Sequence, residues 1–429
     1  RLSPISGPGL CVCMKRARDE AEQQLPEQQQ PADEQPPEDP PWERDPDSYV
    51  AARDVVKLRF VASASDVLTD AEAPAFTPPF LHQHFANEAL ALPVSQRPLT
   101  IEVLYAAHTL VPFPRCDRPM EGSIEDAMFS LVEQLPQAGA SAEALLDAPE
   151  VRLGGEVLAT YERGGAQFEA RLCSFGEEEA RRFNENLQSL MRFYIDAHSP
   201  IDHTDDRWRL LTIFEEAREG APRRFTAAAT AMVFSRFVAG GIRTVLKVCQ
   251  VMVAPTHQRQ GHGSALLQLL YDHAATQGAV EVTVEDPSAS FRMLRDLVDL
   301  RNCRRLGLLQ PTEGCESQPL ADEARAAART ALRITDEQIS RCHEVGCYSL
   351  LQRKLAGKEG PEAEATAKPF RLCVKRRLNK KHEETLGALD GAARKAELER
   401  LYQALVAEYA VLVARVQEVP TPAGAASGG

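Results

Sequence analysis

The chain has 429 residues, of which 62 are acidic and 49 basic, so its formal net charge is −13. Hydrophobic residues make up 44% of the chain and charged residues 26%, as in globular proteins, and the length allows about two or three domains. The acidic balance argues against direct sequence-specific binding of nucleic acid, and no apolar run is long enough to cross a membrane.

The N-terminal part divides into a tail and a domain. Residues 1–48 form an acidic tail rich in Pro and Gln; it is too poor in apolar residues to fold and is predicted to be disordered. Residues 49–175 are predicted to form an N-terminal mixed α/β domain. Its predicted elements are strands at 55–60, 99–105 and 168–172 and a helix at 123–134.

A second predicted domain, at residues 176–310, contains a mixed sheet. It starts with a helix at 177–198, and its strands are predicted at 208–214, 225–234, 244–253 and 280–284. The first three strands fit an antiparallel meander, and a helix after the third strand crosses over to the fourth.

A glycine-containing loop separates the third of these strands from the crossover helix. It reads Gln258-Arg259-Gln260-Gly261-His262-Gly263. Glycine lets backbone N–H groups approach a ligand closely, and a helix N-terminus favours an anion, so the loop can hold a pyrophosphate. It is not a P-loop, because no lysine follows Gly263, and it lacks the third glycine of a dinucleotide fingerprint. An ordinary strand-to-helix turn is the alternative interpretation.

Two acids follow the fourth strand, in the sequence Glu285-Asp286-Pro287-Ser288. Burying an unpaired carboxylate is costly, so neither acid fits a position in the core. A carboxylate beside a cofactor loop can take a proton from an amine. Asp-Pro-Ser is also a good turn and helix N-cap sequence, so we assign Glu285 a catalytic role and Asp286, its neighbour, a largely structural one.

Residues 311–418 are predicted to form a C-terminal helical domain that ends in a long basic, heptad-containing helix. Earlier helices are predicted at 322–334 and 336–345, and residues 419–429 form a flexible tail. The basic cluster Lys375–Lys381 is a nuclear localisation signal, a phosphate-facing patch or a solvated helix face. For the heptad stripe we favour an intramolecular helical hairpin over a dimeric coiled coil. The stripe comprises Leu398, Tyr402, Leu405, Tyr409, Leu412 and Val416.

The ten cysteines are scattered and form no C-x-x-C pair, so we predict no structural zinc and no other metal. Free thiols in a chain of this length indicate a reducing compartment. Cys249 lies within the predicted third strand, where cysteine usually acts as a small apolar residue; a nucleophilic cysteine is the less favoured alternative.

Several segments together resemble a known family. The loop, as Q-x-x-G-x-G, resembles the coenzyme A pyrophosphate loop of the GNAT superfamily of N-acetyltransferases. Taken with Gln250–Val253, Glu285–Ser288 and Leu294-Arg295-Asp296, it resembles the catalytic subunit of type B histone acetyltransferases. Further matching segments are Phe80–Phe85, Ile201-Asp202, Asp205–Trp208 and Lys375–Leu378.

The resemblance implies an α+β fold with a central GNAT-type N-acetyltransferase mixed sheet flanked by helices. It also implies direct acetyl transfer from acetyl-CoA, without a metal, to a lysine Nε in a ternary complex. Glu285 matches the general base, with Asp286 beside it, and Asp196 stands where the family has a glutamate that assists. The implied cofactor contacts are the main chain of Val251, Met252 and Val253 for pantetheine, and Gln258, Arg259, Gln260, Gly261, His262, Gly263 and Ser264 for the pyrophosphate.

By resemblance, the substrate is the N-terminal tail of free, newly synthesised histone of the H-four type, presented with a WD-repeat histone chaperone in the cytoplasm and nucleus. An acidic surface would speed encounter with a lysine-rich peptide, although many acidic proteins bind nothing basic. Candidate substrate contacts are Glu88, Phe234, Ser235 and Arg236, of which Arg236 would repel a basic tail. The alternatives are a GNAT-type acetyltransferase of another protein or a polyamine, and a catalytically weak histone-binding scaffold.

Overall fold

The computed structural model describes residues 45–63, 66–67, 74–85, 89–91, 98–136, 141–147, 149–217, 222–238 and 240–418. Glu88, the tail at 419–429 and all but the last four residues of the predicted tail at 1–48 lie outside these ranges. Within these ranges, no helix combines the length and the apolar character that a membrane span needs.

The N-terminal part contains a four-stranded sheet and a two-stranded ribbon. The sheet order is β3-β2-β5-β6, with β2 and β5 parallel, and β1 pairs with β4. The predicted strands at 55–60 and 99–105 and the helix at 123–134 are confirmed as β2, β5 and α2. The elements are β1 (Tyr49–Ala51), α1 (Ala52–Val55), β2 (Val56–Val61), β3 (Ala75–Phe76), β4 (Ala89–Ala91), β5 (Ile101–Ala106), β6 (Pro112–Cys116), α2 (Ser123–Val132) and α3 (Ala142–Asp147).

A six-stranded sheet with the order β12-β11-β10-β9-β8-β7 lies at the centre of the molecule. All neighbouring strands are antiparallel except β11 and β12, which are parallel. The predicted meander and crossover are therefore confirmed, and the fold is α+β. The elements are β7 (Glu156–Arg163), β8 (Ala166–Ser174), α4 (Glu178–Met191), β9 (Trp208–Glu215), β10 (Arg224–Val238), β11 (Gly241–Val253), α5 (His262–Thr276), β12 (Glu281–Val284) and α6 (Ala289–Arg305).

The central sheet continues across the predicted bound between residues 175 and 176. The strand predicted at 168–172, which we placed at the end of the N-terminal domain, is β8, and it pairs with β9. Alternating apolar residues reveal a half-buried strand but not its partner, so the sequence could not assign β8 to a sheet. The helix predicted at 177–198 also ends earlier, at Met191, whose carbonyl accepts the N–H groups of Tyr194 and Ile195.

The two faces of the central sheet pack into two separate cores. Leu211, Ile213 and Val248 face α5, α6 and the C-terminal helices. Leu210 and Met252, on the opposite face, pack with α4 and the N-terminal sheet. The sheet is therefore the shared wall between the N-terminal part and the C-terminal helices.

The C-terminal helices pack against this sheet through α6. They are α7 (Asp322–Leu332), α8 (Asp336–Leu355), α9 (Gly360–Lys381), α10 (Glu383–Gly387) and α11 (Gly391–Glu418). α11 contacts α6, α8 and α9, and its Tyr402, Tyr409, Leu412 and Val416 are buried there. The heptad stripe is thus covered within the chain, which confirms the intramolecular interpretation.

The basic cluster on α9 takes part in helix packing. Arg377 donates to both carboxylate oxygens of Glu344, at 2.6 and 2.8 Å, and the hydroxyl of Tyr409 donates to the same carboxylate at 2.7 Å. Lys375 pairs with Glu399 and Lys381 pairs with Glu337. These three cations are therefore offset by acids, which favours the helix-face interpretation over a phosphate-facing patch.

We expect Leu412→Ala to destabilise the protein by about 2–5 kcal/mol, because it opens a cavity where the side chain is fully buried. The urea midpoint should fall, and it should not change with protein concentration. Val411→Ala, at a 42% exposed position on the same helix, is the control and should have little effect. A midpoint that rises with protein concentration would instead indicate a stripe shared between two chains.

Candidate active site

A gap opens where β11 and β12 separate. The two strands pair only from Val245↔Glu281 to Val248↔Val284, and the Glu285 N–H then donates to Val248 O at 2.9 Å. β11 continues to Val253, and among the described strands none pairs with Val251–Val253 on this side. Backbone polar groups require partners, so this main chain is available to an extended ligand.

A β-bulge lies beside the gap. Thr230 of β10 faces Gln250 and Ala231 faces Val248, so Cys249 is an extra residue in β11. Burial, followed by the charge of Glu285, raises the pKa of the Cys249 thiol to about 12. The thiol is therefore protonated at neutral pH, which argues against a nucleophilic role.

Glu285 forms an ion pair with Lys247 at the mouth of the gap. Lys247 Nζ donates to Glu285 Oε1 at 2.6 Å, and the two side chains are 33% and 46% exposed. This hydrogen bond lowers the pKa of Glu285, against a smaller opposing effect of burial, and it raises the pKa of Lys247. The carboxylate is therefore ionised, as a base must be, but an ammonium group already occupies it.

The residues after Glu285 form the expected turn and helix cap. Asp286 has a φ of 32°, which is uncommon for a residue with a side chain and redirects the chain after the strand. Ser288 Oγ accepts the N–H of Phe291 at 3.2 Å and caps α6. The turn and N-cap interpretation of Asp286-Pro287-Ser288 is confirmed.

Asp196 lies in the segment after α4. Its Oδ1 contacts His82 Nε2 at 3.1 Å and accepts the Ala197 N–H at 3.0 Å, and its side chain is 65% exposed. The structure thus joins Asp196 to the N-terminal segment Phe80–Phe85, whereas Glu285 pairs with Lys247.

The two glycines of the loop have different roles. Gly261 precedes α5 with a φ of 89°, and a Cβ there would lie 2.7 Å from Nη1 of Arg163. Gly263 is already the second residue of α5, where a Cβ would lie 3.1 Å from Leu294 Cδ2. The expectation that both glycines lie in the turn is therefore wrong for Gly263, which lies within α5 and close to Leu294 of α6.

Sheet residues hold the base of the loop in place. A short 3₁₀ turn, Pro255–His257, connects β11 to the loop, and the buried His257 contacts Glu215 Oε2 at 3.1 Å. Arg224 donates to the same oxygen at 2.8 Å. Gln258 and Gln260 bond through their side chains to nearby carbonyls, so the loop is also fastened internally.

Two residues of β7 reach the loop, and sequence reasoning missed both. Arg163 Nη1 donates to Gln260 O at 2.9 Å, and the hydroxyl of Tyr161 is hydrogen-bonded to His262 Nδ1 at 2.8 Å. Burial lowers the pKa of His262 to about 4, so this ring is neutral, and the positive charge there comes from Arg163 and from the loop's own Arg259. Together with the free N–H groups of the first turn of α5, Arg163 makes the loop suited to an anion.

The predicted substrate contacts Phe234, Ser235 and Arg236 lie on β10. They come after Met232, which pairs with Trp208 and is the last residue of β10 that pairs with β9. Ser235 is exposed and Phe234 is partly buried. Arg236 Nη1 lies 3.0 Å from Glu281 Oε1, so that carboxylate offsets the charge we expected to repel a basic tail. In the part of the chain that the structure describes, no three His, Cys, Asp or Glu side chains converge on a possible metal position.

Comparisons with known proteins match two adjoining segments. Residues 48–196 match the family model described as histone acetyl transferase HAT1 N-terminus, and residues 187–294 match the acetyltransferase (GNAT) family. A solved aminoglycoside acetyltransferase from an uncultured soil sample is 13% identical over 30% of this chain and 83% of that one, with a TM-score of 0.24. A TM-score this low carries no argument.

Curated relatives match more of the chain. The type B histone acetyltransferase catalytic subunit of Candida albicans is 27% identical over 60% of this chain and 63% of that protein. The same subunit of Pyricularia oryzae is 26% identical over 61% of this chain and 66% of that protein. Both matches therefore span less than two thirds of the relative's length. That of Debaryomyces hansenii is 24% identical over 86% of this chain and 93% of that protein. The chain is thus similar to type B histone acetyltransferase catalytic subunits, and its segment 187–294 matches the GNAT family model.

Proposed function

We propose that the protein is an acetyl-CoA-dependent lysine N-acetyltransferase that acts on the tail of a free histone. The observation that carries the proposal is the gap between β11 and β12. It has main chain at Val251–Val253 that β12 does not pair, an ionised carboxylate at Glu285 and a helix N-terminus at Gly261. A thioester-bearing chain with a pyrophosphate at its end fits this order of groups.

The residues present fit coenzyme A. Gly261 leaves room for backbone to approach a phosphate, and Arg163 and the first-turn N–H groups of α5 supply positive charge. The main chain of Val251, Met252 and Val253 would hydrogen-bond the pantetheine arm and polarise the thioester carbonyl. Acetyl-CoA, when bound, supplies the acetyl group.

Glu285 is proposed as the general base. A lysine side chain is an ammonium at neutral pH and becomes a nucleophile only when it loses a proton. The carboxylate of Glu285 stands at the mouth of the gap, partly exposed, where such an ammonium can reach it. We assign Asp286 to the turn that presents this carboxylate, and Asp196 to holding the segment around His82.

The finer identity of the substrate and partners is proposed from the similarity to these relatives. The relatives bear the name type B histone acetyltransferase catalytic subunit, which supports a histone substrate. We extend this to the H-four type of tail, with a WD-repeat histone chaperone as partner, and to action in the cytoplasm and nucleus. The bound at 310/311 belongs to the same proposal, whereas the start of the central domain moves back to include β7 and β8.

The proposed function is tested by mass spectrometry of free histones incubated with the protein and acetyl-CoA, with nucleosomes and a polyamine as comparison substrates. We expect acetyl-lysine on free histone tails and little on nucleosomes. Glu285→Gln should reduce turnover by about 100-fold or more, because the base is lost, while acetyl-CoA binding persists. Acetylation of the polyamine alone, or near-normal turnover by Glu285→Gln, would contradict the proposal.

Gly263→Asp should abolish acetyl-CoA binding in calorimetry. The new side chain would crowd Leu294 and place a negative charge in the first turn of α5, beside the expected pyrophosphate. Gly263→Ala is the matched control, since it adds a similar crowding without charge and should bind acetyl-CoA more tightly than the Asp variant. Equal affinities of the two variants would show that the pyrophosphate does not lie there.

Arg163→Gln should weaken acetyl-CoA binding by about tenfold, because it removes a hydrogen bond to the loop and a charge beside it. The difference from wild type should shrink as salt is raised, since the charge is half-exposed. Arg182→Gln, at an exposed pair on α4, removes the same charge elsewhere and should leave the affinity unchanged. An affinity for Arg163→Gln equal to that of Arg182→Gln would remove Arg163 from the cofactor site.

A further inference from the structure

Lys247 is the nearest cation to Glu285, and it belongs to the protein itself. Its Nζ lies 2.6 Å from Glu285 Oε1. Its strand position is fixed, because Lys247 pairs with Thr283 in the ladder that precedes the gap. The ammonium therefore reaches the carboxylate from the wall of the site and not from a mobile segment.

The other polar groups around this pair are few and mostly occupied. From β11, the Cys249 thiol approaches Glu285 and also contacts Lys247 O at 3.5 Å. From the turn, the charge of Asp286 acts on Lys247. At the other end of β12, Arg236 is paired with Glu281. Lys247 is thus the charged group that Glu285 engages directly.

We propose that the ammonium of Lys247 binds the Glu285 carboxylate until the ammonium of the substrate lysine displaces it. Lys247 is therefore a counterpart of the substrate lysine within the protein. The inference rests on the proposed function of Glu285 as the base. Both cations are primary ammonium groups, and they compete for the same carboxylate. Catalysis then begins with an exchange of one lysine for another at Glu285.

The exchange has two consequences for the reaction. Before it, the pairing keeps Glu285 ionised and so able to accept a proton. After it, the displaced Lys247 ammonium lies close to the substrate ammonium, and a like charge nearby favours loss of the substrate proton to Glu285. Lys247 is a positioning residue in this scheme, since it neither accepts the substrate proton nor bonds to the substrate amine.

The pairing is tested directly by a titration that needs no substrate. The protein is labelled with ¹³C at glutamate, and the carboxyl signal of Glu285 is assigned by its absence in Glu285→Gln. The chemical shift of this carboxyl carbon is then followed by NMR as a function of pH. Lys247→Met should raise the pKa of Glu285, because its hydrogen-bonding cation is lost while burial remains. Lys247→Arg should keep the pKa low, and Lys358→Met, which removes one positive charge from an exposed pair, should not change it.

Competition is tested by calorimetry with two matched histone-tail peptides, one with a free target lysine and one with that lysine acetylated. Lys247→Met should bind the free-lysine peptide about two- to fivefold more tightly than wild type, the range expected for a partly exposed ion pair. The acetylated peptide has no ammonium to compete, so its affinity should be the same in both proteins. Equal gains for both peptides, or no gain for either, would overturn the inference.

The pH profile of kcat/KM gives an independent measure. Because Lys247 depresses the pKa of Glu285, activity in wild type should be lost only as pH falls through that low value. The acid limb should therefore move to higher pH in Lys247→Met and not in Lys358→Met. An unmoved acid limb or an unmoved carboxyl titration overturns this inference alone, whereas a wild-type protein that acetylates no histone lysine overturns the proposed function.

Discussion

A parallel strand pair that stops at Val248 and Val284 is the constraint on which the site depends. Because β12 ends there and the chain turns at Asp286, β11 continues to Val253 without a described strand partner on that side. Parallel strands are normally buried and paired along their length, so an interrupted ladder leaves donors and acceptors that need another partner. The same interruption places Glu285 at the mouth of the gap, since it is the first residue after the last strand pair.

The triplet Leu294-Arg295-Asp296 explains how this interruption is held open. Leu294 packs against the bare Cα of Gly263 and so sets the approach of α6 to the start of α5. Arg295 donates to Val282 O at 3.0 Å and to the Tyr271 hydroxyl at 3.2 Å, which fixes α6 to β12 and to α5. Asp296 accepts from Gln338 and Arg341 of α8, at 2.8 and 2.7 Å. One turn of helix therefore connects the loop, the short strand and the C-terminal helices.

Charge pairs within the chain shape the chemistry of the site more than the net charge does. The formal charge of −13 led us to expect attraction of a basic peptide, but three acids around the site are already paired with cations. Glu285 holds Lys247, Glu281 holds Arg236, and Glu215 holds His257 and Arg224. Under the proposed function, an incoming lysine would meet a carboxylate that it must share, and selectivity would then depend on exchange between cations rather than on the overall acidity of the surface.

The sequence by itself determined the strands of the central sheet from β9 to β12, the loop at Gln258–Gly263 and the acid at the end of β12. These depend on local periodicity, on glycine and on turn chemistry, which neighbouring residues express. Only the tertiary structure decided that β7 and β8 join the same sheet, that Arg163 and Tyr161 reach a loop about 100 residues away, and that Leu294 lies close to Gly263. It also decided that Lys247 occupies Glu285. Such contacts arise when strands pair and helices pack across long separations, and a single sequence carries no local signal of which distant side chain will be the neighbour.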